Sequence, residues 1–277
     1  MSRSSSSRRR LDQVDYKRAK TLGQTNRKPV GSVVHATRIL RHLSAVQSPM
    51  RVTHIALDLG INISTCFNIL NTLVQEGFVH FSPRVKGYSI GSQVVALARG
   101  AIDPHGAIAA VQPRMRQIAQ AQNLILTIWK RSSIDRMTLV ACAESDAAIR
   151  LHLTVGHSVP LLLGAVGRAM ATRISATTEE LERQFADVRW HTPITFDAFL
   201  TEAHRAREVG YAIDNCMANR GLVSISVPVL DRDGHADIAC CGSLFAGSYP
   251  AEQLQAIAFD LTEISETLAN LTYTTDS

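Results

Sequence analysis

The chain is 277 residues long and 45% hydrophobic, with 29 Lys and Arg against 24 Asp and Glu, a length beyond one compact core and an apolar content sufficient for two. No apolar run approaches the about 20 residues that a membrane helix requires, and the basic, serine-rich N-terminus has no apolar segment behind it; this argues against a membrane partner and a secretory signal and makes the expected location cytoplasmic and nucleoid-associated. Residues 1–31 hold nine Lys or Arg against Asp12 and Asp15, and residues 32–95 five against Asp58 and Glu76, so the first third suits a polyanion while the remainder is net acidic.

Residues 1–29 are poor in apolar side chains, rich in Ser and Arg, and stopped by Pro29, which makes them a disordered basic tail able to add sequence-independent attraction to phosphate. From Ser32 to Ala45 the residues Val33, Ala36, Ile39, Leu40 and Leu43 follow a helical period. Pro49 then breaks the chain. Arg51-Val52 is expected as a short strand, and Thr53 as the cap of a second helix from His54 to Leu59 that Gly60 closes.

The stretch Asn62 to Gly77 follows, and as a helix it has two unlike faces. Ile69, Leu70, Leu73 and Val74 form a buried stripe, while Ser64, Thr65, Phe67, Asn68 and Asn71 present hydroxyls, amides and one ring, with no charge. Asn62 or Ser64 caps its start, and Gly77 supplies the left-handed residue beyond its end. Such a face suits base edges in a major groove. Helix, short helix, glycine turn and helix is the helix-turn-helix order. The period then changes: Phe78, Val79 and Phe81 read as a strand, residues 82–87 as a turn, and Tyr88 with Ile90 as the return, forming a wing with Arg84 and Lys86 at its tip. The expected DNA contacts are Arg51, Ser64, Thr65, Phe67, Asn68, Asn71, Arg84 and Lys86. Residues 30–91 are thus expected as a DNA-binding domain, with 92–106 as a linker helix.

Residues 107–277 alternate helices and strands. A helix from about Ala107 to Ala121 precedes strands at Ile125 to Trp129, Met137 to Ala143 and Arg150 to Thr154. Helices are expected at Val166 to Ile174, Thr178 to Phe185 and Phe196 to Gly210. Val223 to Leu230 and Ala236 to Phe245 pair through an Asp231-Arg232-Asp233-Gly234 turn, and Ala251 to Leu271 closes the chain as an amphipathic helix. The fold class is α+β.

No catalytic constellation is present. There is no His-Glu-x-x-His, no phosphate loop and no Gly-x-Ser-x-Gly. Cys66, Cys142, Cys216, Cys240 and Cys241 are odd in number and lack a Cys-x-x-Cys pair, so neither a disulfide framework nor a zinc site is expected. Neither is any other metal or cofactor.

The order of these segments resembles the IclR-type transcriptional regulators over roughly Val30 to Leu271. The likeness rests on Ile39-Leu40, on Leu70-x-x-Leu73-Val74-x-x-Gly77-Phe78-Val79, and on Gly87-Tyr88-x-Ile90-Gly91. Further along it rests on Val159-Pro160-Leu161, Gly167-Arg168-Ala169, Gly210-Tyr211-Ala212-Ile213-Asp214 and Asp233-Gly234. The resemblance implies a winged helix-turn-helix domain joined to an effector-binding domain of GAF-like fold, assembly as a homodimer or homotetramer, and a pseudo-palindromic double-stranded DNA operator.

It also implies a small organic acid as effector, carboxylic or aromatic. By likeness, the backbone N–H groups of Ala165 and Val166 at a helix start would receive a carboxylate. Asp214, Leu222, Ser224, Cys241 and Ser243 fall on the other effector-contact positions, with Asp214 accepting an effector hydroxyl or orienting a neighbouring donor. Ser224 stands where the family often has Cys, and Cys241 where it often has Ser, and Leu161, Leu162 and Leu163 suggest an apolar wall. The function so expected is a sequence-specific, effector-modulated transcriptional regulator. The alternative is a small-molecule-binding enzyme with an appended nucleic-acid-binding domain.

Overall fold

The helical period at the start of the chain is realised as α1, Gly31–Ala45, which buries Ile39 and Leu43. The computed structural model describes residues 29–273 apart from Gln47, Pro104, Ile149 and Ser248; the expected basic tail therefore lies outside the described residues, Pro29 excepted. Two compact units divide after Leu97.

In the first unit, α2 (Val52–Leu59) and α3 (Ile63–Gln75) follow α1, and Gly60 sits between them in the left-handed conformation at φ 63°. The expected Arg51-Val52 strand is absent. Val52 opens α2, Arg51 is its extended N-cap, and the Thr53 hydroxyl does not cap it. The strand-like residue is instead Met50, which exchanges two backbone hydrogen bonds with Tyr88, 2.9 and 2.7 Å. One ladder bridge thus joins the chain before α2 to the wing.

The wing consists of β1 (Val79–Ser82) and β2 (Gly87–Ile90), antiparallel with Phe81 opposite Tyr88 and Ser82 opposite Gly87. The Phe81 and Tyr88 rings lie 4.9 Å apart. Gly91 closes the wing because the backbone leaves no room: a Cβ there would strike the Gly77 carbonyl oxygen and come within 2.9 Å of the Phe78 and Val79 backbone. Ile39, Ile55, Cys66, Leu70 and Val79 make the core of this unit. Cys66 belongs to the buried stripe of α3 one turn before Leu70, and Ile69 and Val74 only border it.

Helix α4 (Gln93–Ile102) buries none of its residues. Beyond it, α5 (Ala107–Gln122) is started by Asp103, whose two carboxylate oxygens accept from the Ile108 and Ala109 N–H groups at 3.0 Å each. The second unit is built on a six-stranded antiparallel sheet in the order β5-β4-β3-β8-β7-β6. The strands are β3 (Ile125–Arg131), β4 (Arg136–Ala143), β5 (Ser158–Pro160), β6 (Ala212–Asn215), β7 (Leu222–Leu230) and β8 (Ala236–Phe245).

One strand expectation is corrected here, and one strand is added. Residues 150–154 do not join the sheet, although Leu151 and Leu153 alternate inward as a strand would. The edge of β4 is taken by the segment after Gly156: Gly156 N–H donates to Leu139 O and Leu139 N–H to His157 O, both 2.8 Å, and β5 continues the pairing. At the other edge, Ala212–Asn215 pairs with β7, a strand too short to stand out by period.

One face of the sheet packs on α5 and the long C-terminal helix α9 (Ala251–Tyr273), through Ile128, Ile225, Val227 and Leu261. The other is covered by α6 (Gly164–Ala171), α7 (Thr178–Ala186) and α8 (Phe196–Val209), with Leu139, Met170 and Phe199 at its centre. Helix α6 begins two residues before the expected Val166 and ends three before Ile174. No single helix among the described residues is long and apolar enough to cross a membrane.

Candidate functional site

Helix α3 is held by a cap that also decides which of its side chains are free. Asn62 Oδ1 accepts from the Ser64 N–H at 2.9 Å and from the Ser64 hydroxyl at 2.8 Å. Asn62 is therefore the cap, and the Ser64 hydroxyl hydrogen is already committed. Ser64, Thr65, Phe67, Asn68 and Asn71 are all exposed. Asn62→Ala is expected to lower the urea midpoint by the equivalent of about 1 kcal/mol; an unchanged midpoint would mean that the bonds to Ser64 add nothing to the helix.

Basic side chains around α3 divide into two groups. Arg38 donates to the carbonyl of Leu59 at 2.7 Å, and His42 meets Asp58 at 3.1 Å, so both serve the joint between α1 and α2. Arg41, Arg51, Arg84 and Lys86 are exposed and have no ion pair or side-chain hydrogen bond among the described residues. They are able to meet phosphate, which positions a protein on a duplex without reading its sequence. Lys86 turns the wing tip with φ 50°.

The second unit brings the other expected residues to one side of its sheet. Asp214 lies opposite Ser224 across β6 and β7, and Ser224 opposite Ser243 across β7 and β8. The two serine hydroxyls are 2.7 Å apart and half-buried, and Cys241 Sγ lies 3.9 Å from Ser243 Oγ. Leu222, two residues before Ser224, has the same direction and is also half-buried. Val166 belongs to the apolar cluster that includes Cys241, and Ala165 is buried beside it in α6. As the first turn of a helix, Ala165 and Val166 have N–H groups without a helical acceptor.

Burial pushes the Cys241 thiol up to about 12, so it is a neutral small side chain here. Cys240, its neighbour, belongs to the core on the opposite face of the sheet, and the two cannot act as a pair. Leu161 and Leu162, expected as pocket wall, are 1% and 0% exposed and belong to the core; only Leu163 is half-buried.

Arg168 is the residue that reading by motif undervalues. It is 1% exposed. Its Nη1 donates to Asp214 Oδ1 at 2.7 Å, its Nε donates to Glu202 Oε2, and its guanidinium lies 5.2 Å from the Trp190 ring centroid and 5.7 Å from that of Phe199. The other Asp214 oxygen accepts from the Ala218 N–H at 3.0 Å. Each Asp214 oxygen thus holds one partner, Arg168 on one side and the loop N–H of Ala218 on the other. The expected second role of Asp214, orienting a donor, fits this geometry.

One guanidinium between two carboxylates leaves no spare positive charge. An anion beside α6 would depend on backbone N–H groups and on the hydroxyls of Ser224 and Ser243. The sequence signal was available: a charge inside the most apolar stretch of the chain has to be paired if it is buried. Elsewhere, Asp231, Asp233 and His235 bring possible metal-ligand atoms within 4.8 Å of one another. There Asp231 Oδ1 already accepts from the N–H groups of Asp233 and His235, at 2.9 and 2.8 Å, and shapes the turn between β7 and β8.

Comparison with known proteins places both units. Residues 32–83 match the IclR helix-turn-helix domain, and residues 100–270 match the bacterial transcriptional regulator IclR C-terminal domain. The DNA-binding transcriptional repressor YiaJ of Escherichia coli is 20% identical over 265 residues, covering 93% of this chain and 94% of that protein. An IclR transcriptional regulator from Alicyclobacillus acidocaldarius has a similar structure, with a TM-score of 0.72 and 23% identity, covering 88% of this chain and 100% of the other. An IclR homologue from Microbacterium hydrocarbonoxydans, complexed with 4-hydroxybenzoate, gives 0.70 at 13% identity, covering 87% and 98%. With a winged helix-turn-helix unit, an α+β second unit and both family domains matched in order, the chain belongs to the IclR family of DNA-binding transcriptional regulators.

Proposed function

We propose that this regulator binds a pseudo-palindromic operator as a homodimer or homotetramer and that a small organic acid, carboxylic or aromatic, modulates that binding. The observation that carries the effector reading is the side of the sheet at which Ser224, Ser243 and Leu222 remain half-buried next to the first turn of α6. Hydroxyls and helix-start N–H groups suit a carboxylate, and the half-buried Leu163 and Leu222 suit an apolar body. The Microbacterium relative's 4-hydroxybenzoate is an acid of this kind. Association is supported by α4, where Val95 and Leu97 are 54% and 63% exposed in a helix without a buried residue. Arg51, Arg84 and Lys86 are read as phosphate contacts, and Thr65, Phe67, Asn68 and Asn71 as the groove-facing set.

The test is binding of the full chain to its own upstream DNA and to random duplex at moderate salt, with and without organic acids, 4-hydroxybenzoate among them. Preference for the upstream DNA, altered by an acid, is the expected result. Equal affinity for both duplexes would refute the reading. Ala165→Trp puts a large ring at the buried start of α6 and is expected to abolish the response to the acid while leaving operator affinity within about twofold, since α3 is untouched; an intact response would move the pocket elsewhere.

A further inference from the structure

The base pairs that α3 prefers follow from what its exposed face contains and lacks. From Ile63 to Gln75 the helix has no Lys, Arg, Asp or Glu. Guanine offers two adjacent acceptors in the major groove, which a cationic fork fills best; adenine offers an acceptor beside a donor, which a carboxamide matches with its own donor and acceptor; and thymine offers a methyl group. Asn68 and Asn71 supply two carboxamides. Both are exposed with no side-chain hydrogen bond among the described residues, and the Thr72 hydroxyl donates to the backbone carbonyl of Asn68 at 3.1 Å, which leaves that amide free. Phe67 is 46% exposed and offers an apolar surface with no hydrogen-bonding group.

Spacing puts these three side chains on one strip. Asn68 and Asn71 are three apart and Phe67 and Asn71 four apart, so they neighbour one another on the helix surface. The rise from Phe67 to Asn71 is about 6 Å, close to two base-pair steps at about 3.4 Å each. The unpartnered cations nearest in sequence, Arg51 and Arg84, belong to the α2 cap and the wing tip and not to this strip.

We propose that α3 selects A·T pairs at the centre of each operator half-site, with Asn68 and Asn71 reading adenine and Phe67 covering a thymine methyl. The inference rests on the reading of α3 as the groove-facing helix. It assigns three specificity-determining residues and a class of DNA.

The experiment selects sites from a pool of random duplexes with the full chain at moderate salt, then measures affinity for the selected duplex. Half-sites centred on consecutive A·T pairs are expected. Half-sites whose α3-contacted pairs are dominated by guanine would overturn the proposal and leave the regulator reading standing. No enrichment at all would overturn both. On the selected duplex, Asn68→Ala or Asn71→Ala is expected to lower affinity about 10- to 100-fold and to flatten the base preference at one step. Replacing the contacted thymine by deoxyuridine should cost the wild-type protein about fourfold, the worth of one methyl group, and cost Phe67→Ala nothing. The same fourfold loss in Phe67→Ala would remove Phe67 from the proposal. All three positions are exposed on a helix that favours alanine, so the variants fold.

Discussion

Arg168→Ala is expected to destabilise the second unit by about 3–5 kcal/mol, the cost of leaving a buried partner charge uncompensated. Asp214 carries that cost. Its side chain is 3% exposed and loses the guanidinium, keeping only the Ala218 N–H. Glu202 is 48% exposed on its side chain and is rehydrated instead, so only one carboxylate enters the figure. The change also removes the cation lying over Trp190 and Phe199.

Urea unfolding followed by tryptophan fluorescence checks this directly, because Trp129 and Trp190 are the only tryptophans and both lie in the second unit. A loss under about 1 kcal/mol would mean that water reaches Asp214 once the arginine is gone. The double change Arg168→Met with Asp214→Asn is expected to cost less than Arg168→Ala, since it removes the orphaned charge as well as its partner.

Leu70→Ala should cost the first unit about 2–5 kcal/mol through lost burial and the cavity left behind. Leu70 is 0% exposed and packs with Ile39, Ile55 and Cys66 in a core drawn from few residues. A domain of this size buries only about 60% of the surface that its unfolded chain exposes, so such a loss is comparable to its whole stability. Operator binding is therefore expected to vanish near 37 °C and to recover on cooling, with a new low-temperature calorimetric transition. Full affinity at 37 °C and no shift in the transition would show that the site collapses onto the missing atoms.

Much of the DNA-binding unit was legible because its signals are local. The stripe of α3 returns every three or four residues, Gly60 and Gly77 mark the turns, and the wing shows its alternation around a short charged tip. The same holds for the polar face, since helical spacing alone separates Asn68 and Asn71 from Leu70 and Leu73. Cys66 was missed because its type is neutral as to face, and only the packing of Ile39 and Leu70 around it shows its side.

In the second unit the longest strands and helices were legible for the same reason, and the edges were not. Residues 150–154 alternate as a strand does, yet β4 pairs with the segment that follows the left-handed turn at Gly156, a choice between two neighbouring segments that alternation alone does not make. Met50 bonds to Tyr88 across two intervening helices and a strand, a pairing that no period encodes. Likewise Arg168 meets Asp214 and Glu202, 46 and 34 residues away in sequence. By itself the sequence determined two units, a helix with an uncharged polar face followed by a wing, and the order of most elements, because periodicity, turn residues and charge balance are properties of neighbouring residues. Only the tertiary structure decided which residue caps α3, which hydroxyls stay free, which leucines are core, and that Asp214 serves Arg168, because hydrogen bonds and ion pairs between distant segments exist only once the backbone has brought them together.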